Sequence, residues 1–261
     1  MNSISQKSSE DKLLKNKEVV RIFSDLHLEF GLKPIKKCVD ICLKKRTKYT
    51  ILAGDITNYK QREQCLTKLV TELKPLTDNI IYILGNHEYY KLGETKASDV
   101  KGVYNDLCKK LGIYFLEDES LETEDFVFYG TTLWSKVSEE SFSCMNDQYS
   151  FNSRQEVLDI HQESVNKLSS FIGDYKTEKP LIVISHHMPS FKLIDKEYEK
   201  FDNINTGFAT ELDHLIRYPV YYWIYGHTHK PSDTMMNGVR MLCNPHGYHG
   251  HECMNFKDCT F

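Results

Sequence analysis

Val20-Arg21-Ile22-Phe23-Ser24-Asp25-Leu26-His27 sets a short run of branched and aromatic side chains against an abrupt polar ending. The same grammar recurs four more times. Ile51-Leu52-Ala53 runs into Gly54-Asp55, and Ile81-Tyr82-Ile83-Leu84 into Gly85-Asn86-His87-Glu88. Leu181-Ile182-Val183-Ile184 runs into Ser185-His186-His187, and Tyr222-Trp223-Ile224-Tyr225 into Gly226-His227-Thr228-His229. Runs of this length and composition read as buried strands. A ligand in an open α/β sheet sits in the crevice beyond the carboxyl ends of its strands, so these five endings are expected to converge on one rim. The glycines at 54, 85 and 226 are read as sharp turns out of the sheet.

Strands are expected at Val19–Phe23, Tyr49–Leu52, Ile80–Leu84, Phe126–Gly130, Leu181–Ile184, Tyr221–Tyr225 and Val239–Cys243. Between them Ile35, Val39, Cys42 and Leu43 recur at helical spacing, as do Leu66, Leu69, Val70 and Leu73. Val100, Val103, Tyr104, Leu107 and Leu111 do likewise, with Gly112 as a stop. Ser153 and Glu156 form a capping box that opens a helix reaching about Ile172, and a further helix is expected over Phe208–Arg217. Strands alternating with helices mean a layered α/β protein with a sheet that is at least partly parallel. Residues 1–17 read as a polar, disordered tail and 18–261 as one catalytic domain without an accessory module.

Composition narrows the function class. The chain has 261 residues, 40% hydrophobic, with 33 basic and 37 acidic side chains. That is too apolar for a disordered chain, and no apolar run approaches the roughly 18 residues of a spanning helix. The first seventeen residues lack the apolar stretch of a secretory signal, so the protein is expected to be soluble and cytoplasmic. A net charge of −4 argues against a sequence-independent nucleic-acid binder. Eight cysteines lack any C-x-x-C pair and read as reduced, packed thiols. The basic run Lys44, Lys45, Arg46 and Lys48 closes a helix, where cations complement the dipole.

Counted without His87, Glu88 and His187, the polar endings supply four histidines, two aspartates and an asparagine, a nitrogen and oxygen set without thiolate. Manganese suits it foremost, with iron, zinc, cobalt or nickel also compatible. Seven donors are too many for one four-coordinate ion and suit two divalent ions sharing a carboxylate, the arrangement used for in-line displacement at phosphorus.

The series D-x-H, G-D, G-N-H-E, H and G-H-T-H resembles the calcineurin-like metallophosphoesterase superfamily. Asp25-Leu26-His27-Leu28-Glu29-Phe30, Asn86-His87-Glu88-Tyr89-Tyr90, Met145-Asn146-Asp147, Cys243-Asn244-Pro245 and Gly247-Tyr248 resemble a group of small phosphoesterases whose substrates are mostly unassigned. The resemblance, over roughly residues 18–250, implies an α/β/β/α sandwich of two mixed sheets flanked by helices. It further implies one metal on Asp25, His27 and His229, a second on Asn86, His186 and His227, and Asp55 bridging them. His186 is preferred to the adjacent His187 because it comes first after the strand. The implied activity is hydrolysis of phosphate mono- or diesters by a metal-bridging hydroxide attacking phosphorus in line, with His87 as the acid that protonates the leaving group or holds a phosphate oxygen. The alternative role for His87 is to orient a ligand. A different class, a non-catalytic protein-binding scaffold like the retromer subunit of the same fold, is disfavoured because every metal position is filled.

Departures from better-known relatives prune the substrates. The arginine positions of the protein Ser/Thr phosphatases hold Tyr59 and Leu84, and the ferric-tyrosine position of purple acid phosphatases holds Asn58. The capping domain of the repair nucleases is absent, and the histidine at which lipid-A-pathway pyrophosphatases differ is intact. What is left is a small phosphorylated substrate, nucleotide-derived compounds among the candidates. His161 is read as a satisfied core histidine and His214 as surface. The group His246, His249, His251, Cys253 and Cys259 lacks the spacing of a third metal site. The stretch from Trp134 through Met145, Asn146, Asp147 and Tyr149 is read as either an active-site wall or packing.

Overall fold

The computed structural model describes residues 19–248, 252 and 256–261. The N-terminal tail and His249, His251 and Cys253 lie outside those residues. A four-stranded sheet takes β1 (Val20–Phe23), β2 (Thr47–Ala53), β3 (Thr77–Ile83) and β4 (Tyr114–Phe115) in sequence order, each pair parallel. The C-terminal residues add an antiparallel bridge, Arg21 to Thr260, along β1. The second sheet has six strands: β5 (Glu119–Glu122), β6 (Val127–Thr131), β7 (Leu181–Ser185), β8 (Val220–Tyr225), β9 (Ser232–Met236) and β10 (Val239–Cys243). Its order is β5-β6-β7-β8-β10-β9, and only the edge strands β5 and β9 run antiparallel to their neighbours.

Side-chain alternation builds the layers. On β1, β2 and β3 the set Val20, Ile22, Ile51, Ala53, Ile81 and Ile83 meets Phe128, Ile182, Ile184, Ile224 and Leu242 of the second sheet in one dry cluster between the sheets. The opposite face of the first sheet packs Leu52, Tyr82 and Leu84 against α1 (Lys33–Lys44), α2 (Arg62–Leu73) and α3 (Val100–Leu111). The outer face of the second sheet, with Val183, Trp223, Tyr225 and Met241, is covered by Leu168 and Ile172 of α5 (Arg154–Gly173) and by the 209–216 segment. The short α4 (Glu139–Cys144) and α6 (Asp202–Asn205) lie in the long connections. This is the four-layer α/β/β/α sandwich. Among the described residues no helix is long and apolar enough to cross a membrane.

Local chemistry explains most boundaries. Gly112 ends α3 at φ 62°, its N–H returning to the last turn. Ser153 caps α5 by accepting from the Glu156 N–H, while the Glu156 carboxylate reaches the Asn152 N–H, one residue before the usual capping-box partner. Arg46, from the basic run, pairs with Asp78 and the Pro75 carbonyl. The helix expected over Phe208–Arg217 does not form. Backbone groups there are spent on the 188–189 segment, with Met188 N–H donating to Phe208, Thr210 N–H to Met188 and Leu212 N–H to Pro189, leaving a single 3-10 turn at Asp213–Leu215. His214 is exposed, as expected. The described cysteines are free thiols.

Candidate metal centre

The carboxyl ends of β1, β2, β3, β7 and β8 open on one rim, and the backbone there is strained. Asp25, His27, Asp55, His227 and His229 all adopt positive φ, between 45° and 65°. For non-glycine residues that costs about 1–2 kcal/mol each and persists only where surrounding contacts enforce it. Here they do. The Asp25 and His27 N–H groups donate to the Gly54 and Asp55 carbonyls, and the His227 N–H donates to Asp25 Oδ1 at 2.9 Å. Gly85 is needed for close approach rather than for a turn, since a Cβ there would lie 2.2 Å from Asp55 Oδ1.

All seven candidate ligands come together. His27 Nε2 and His229 Nε2 face each other at 2.9 Å, with Asp25 Oδ1 3.5 Å from the latter and Asp55 Oδ2 3.9 Å from the former. On the other side His186 Nε2 lies 3.2 Å from Asn86 Oδ1 and 3.3 Å from Asp55 Oδ1. Asp55, His186 and His227 have donor atoms within 4.8 Å of one another, as do Asp25, His27, Asp55 and His229, so Asp55 belongs to both groups.

These contacts suit cations because they set acceptors against acceptors. His27 Nδ1 faces Glu29 at 3.4 Å, His229 Nδ1 donates to Glu252 at 2.6 Å and His186 Nδ1 donates to the Ala53 carbonyl at 3.0 Å, which turns each Nε2 lone pair inward. The Asn86 amide is fixed likewise. Its Nδ2 donates to Tyr90 Oη and Asp147 Oδ1, so Oδ1 is the atom turned to His186. Asp25 Oδ2 and His227 Nε2 are buried and without a hydrogen-bond partner. In the metal-free protein protons answer the same demand. Burial opposes charge on His186, yet Asp55 pushes it up to about 10. Burial and the neighbouring His187 and His186 hold His227 down and neutral.

His87 stands beside this pair of groups. Its Nδ1 is 2.7 Å from Glu29, and Nε2 is 3.3 Å from Tyr248 Oη and 3.9 Å from Asp55 Oδ2. Burial opposes its protonation, but Asp55 and Glu29 raise it to about 9. Burial alone would raise the Glu29 carboxyl, and hydrogen bonding to His27 and His87 more than reverses this, to about 2. Of the two adjacent histidines, His186 faces Asp55. His187 sits against Trp134 with Nδ1 3.3 Å from the Thr132 carbonyl and is pushed down to about 3, chiefly by burial.

The comparisons with known proteins bear on the family and the fold. A family model described as calcineurin-like phosphoesterase matches residues 19–231. The chain belongs to the calcineurin-like phosphoesterase family. It is 31% identical to the uncharacterized protein L509 of Acanthamoeba polyphaga mimivirus, over 93% of this chain and 95% of that one. Among solved structures it resembles phosphopantetheinyl hydrolase from Mycobacterium tuberculosis, at a TM-score of 0.67 and 15% identity over 92% of this chain and 95% of that one. The TT1561 protein of Thermus thermophilus follows at a TM-score of 0.53 and 12% identity, covering 94% and 99%. At these identities the structural likeness establishes the fold.

Several residues of this calcineurin-like phosphoesterase carry the site without having been singled out in the sequence. Glu88 is fully buried and accepts from the N–H groups of Asp55, Ile56, Thr57 and Gly85 and from Tyr82 Oη, at 2.6–3.3 Å. It thereby fastens the β2 and β3 endings to each other. Glu29, Glu252 and Tyr90 orient His27, His87, His229 and Asn86 as described, together with Asp147, which the sequence had marked only as wall or packing. Glu88 stood in the quoted G-N-H-E run, and Glu29 and Tyr90 in the neighbouring motifs, but nothing in the spacing says where a carboxylate turns. The C-terminal candidates divide. His246 is buried against Phe256, and Cys259 pairs with β1 through its backbone. His161 is buried with Nδ1 2.9 Å from the Leu133 carbonyl, the satisfied core histidine expected.

Beside the candidate ligands opens a cavity of about 430 Å³, lined by Asp55, Asn86, His87, His227 and His229 and by the long 138–149 and 188–208 connections. Met145 and Asn146 form part of its wall, whereas Trp134 is core, packed on Tyr89 and Phe151. Tyr149 is exposed.

Proposed function

We propose that this calcineurin-like phosphoesterase is a binuclear metal-dependent hydrolase of small phosphate mono- or diesters. In this reading Asp25, His27 and His229 hold one divalent ion, Asn86, His186 and His227 hold the other, and Asp55 serves both. The observation that carries it is the pair of acceptor-to-acceptor contacts, His27 with His229 and His186 with Asn86, on either side of one carboxylate. Buried lone pairs at such distances repel unless a cation or a proton sits between them, and metal ions can replace the protons at both contacts. When bound, such ions lower the pKa of a water toward about 7 and neutralise phosphoryl oxygens. The oxygen and imidazole donors suit manganese foremost.

The chain's own residues do the rest. Glu29 holds His87 by Nδ1, which leaves Nε2 on the cavity side to deliver a proton to a leaving alkoxide or to hold a phosphate oxygen. An imidazole's ordinary pKa near 6.5 lets it hold and release a proton close to neutral pH. Asn86 contributes a neutral oxygen, which limits negative charge facing an anionic ester.

The test is turnover of para-nitrophenyl and bis-para-nitrophenyl phosphate with Mn²⁺, with and without chelator. Chelator-sensitive hydrolysis is expected, with His87→Ala losing at least about tenfold more on alkyl than on aryl esters. No turnover of any ester by fully metal-loaded protein would contradict the reading and favour the scaffold.

A further inference from the structure

The cavity beside the metal centre has one chemical peculiarity that hydrolysis alone does not require. Apart from the histidines of the site its charged lining is acidic: Asp195 and Glu252 join Asp55, and among the described residues no lysine or arginine lines it. Lys200 and Lys230 lie near the mouth but stack on the rings of Phe201 and Tyr198, and Lys230 pairs with Glu197. Asn146, Asn205 and Thr228 also line the cavity, but one stretch of its wall, on the 188–208 connection, is largely apolar. Phe208 packs its ring on His227 at 4.8 Å between centroids, and Ile204, Phe201 and Tyr198 continue the surface outward, with Met145 and Met188 also lining it. Phe201 is 46% and Tyr198 44% exposed, an uncommon display of large rings at the mouth of a site.

The wall is also held in place. Ser141 Oγ donates to the Ile204 carbonyl, Ser138 Oγ to the Asn203 carbonyl, Asn203 Nδ2 to Glu140, and the Ser138 N–H to Thr206 Oγ1. Gly207 lets α4 and the residue after it approach so closely that a Cβ there would lie 2.4 Å from Ser141 Oγ and 2.2 Å from Met145 Sδ. A rigid apolar surface that reaches a candidate ligand, with acidic groups around it, selects against multiply charged substrates and for an apolar body carrying one phosphoryl group.

Resting on the phosphoesterase reading above, we infer that the substrate is a phosphate ester with a single phosphoryl group and an apolar alkyl or aryl body, which lies along Phe208, Ile204 and Phe201. Polyphosphates and nucleic acids are the wrong chemistry for this wall, because their further charges would face Asp195 and Glu252 without a guanidinium or ammonium partner.

The probe is a series of alkylphosphonates, whose carbon–phosphorus bond resists hydrolysis, bound to the Mn²⁺-loaded protein and followed calorimetrically. Burying a methylene contributes about fourfold in affinity, so on a half-exposed wall butylphosphonate should bind on the order of tenfold tighter than methylphosphonate. The 3-phosphonopropionate ion, of similar length with a second charge at its end, should bind more weakly than butylphosphonate. Phe201→Ser and Ile204→Asp should flatten the series. Phe201 is exposed enough that its substitution leaves folding intact even if Ile204→Asp does not. A flat series in the wild-type protein, or tighter binding of the doubly functional anion, overturns the inference. If the flat series comes with chelator-sensitive ester turnover, the phosphoesterase reading survives and only the apolar substrate falls. If metal-loaded protein neither binds phosphonates nor turns over esters, both fall.

Discussion

Glu88 offers the sharpest perturbation of the site because it touches no candidate ligand side chain and yet fixes two ligand-bearing turns. One carboxylate oxygen accepts from the N–H groups of Asp55 (2.9 Å) and Gly85 (2.6 Å), the other from Ile56 (2.8 Å), Thr57 (3.3 Å) and Tyr82 Oη (2.8 Å). Glu88→Gln keeps shape and volume but replaces one acceptor with an amide donor. In the cheaper orientation the new NH₂ faces the Asp55 and Gly85 N–H groups, leaving two buried donors without an acceptor. At about 1–3 kcal/mol each, the penalty is about 2–6 kcal/mol. The backbone can relieve it only by moving the segment that carries Asp55, whose side chain belongs to both candidate metal groups. Urea unfolding of the metal-free protein should therefore show a lower midpoint with unchanged slope, and calorimetric titration with Mn²⁺ should show weaker binding. A variant within about 0.5 kcal/mol of wild type, the range of an ordinary surface substitution, and with unaltered metal affinity would refute the role given to Glu88.

Three other expectations follow from the same geometry. Asp55→Asn should lose more metal and more activity than Asp25→Asn, since Asp55 faces both histidine groups while Asp25 faces one; the reverse ranking, read by metal analysis after desalting, would dispute the shared carboxylate. Glu117, buried and accepting from the Thr132 N–H and Oγ1, is raised to about 8, first by burial and then by Asp118. Its stabilising contribution is complete below its unfolded pKa of about 4.5 and fades as pH climbs toward 8, so wild type should lose about 3 kcal/mol between pH 5 and 8 from this residue, whereas Glu117→Gln should not; parallel pH profiles of urea midpoints would exclude this. Gly85→Ala should abolish tight metal binding, because its Cβ would strike Asp55 Oδ1 and the Asp55 nitrogen at 2.2 and 2.5 Å; full metal retention would show that the close approach is unnecessary.

The layered fold was legible because buried parallel strands announce themselves: each of the seven expected runs lies on a strand, and the two faces of the sheets separate cleanly into the apolar clusters. The missing elements were those without such a signature. The edge strands Glu119–Glu122 and Ser232–Met236 are polar and largely exposed, and β4 is two residues long. The Phe208–Arg217 stretch has a helical stripe of apolar residues, but tertiary pairing with Met188 and Pro189 outcompeted it. For the site, residue type at strand ends marked the rim, and the family resemblance picked out the seven donors that the fold then gathers. What sequence could not supply was direction. The positive φ values at Asp25, His27, Asp55, His227 and His229, the turning of each histidine by Glu29, Glu252 or a carbonyl, and the five-fold use of Glu88 all depend on residues distant in the chain.

The central claim is that one shared carboxylate organises two cation sites, and equilibrium metal stoichiometry tests it most directly. Apo-protein titrated with Mn²⁺ by calorimetry, with the metal content of the product counted by mass spectrometry, should take up two equivalents per chain near neutral pH. Proton release should accompany uptake, because the proton on His186 Nε2 must leave while Nδ1 keeps its own for the Ala53 carbonyl. Saturation at a single equivalent, or none, with all seven donors intact would contradict it.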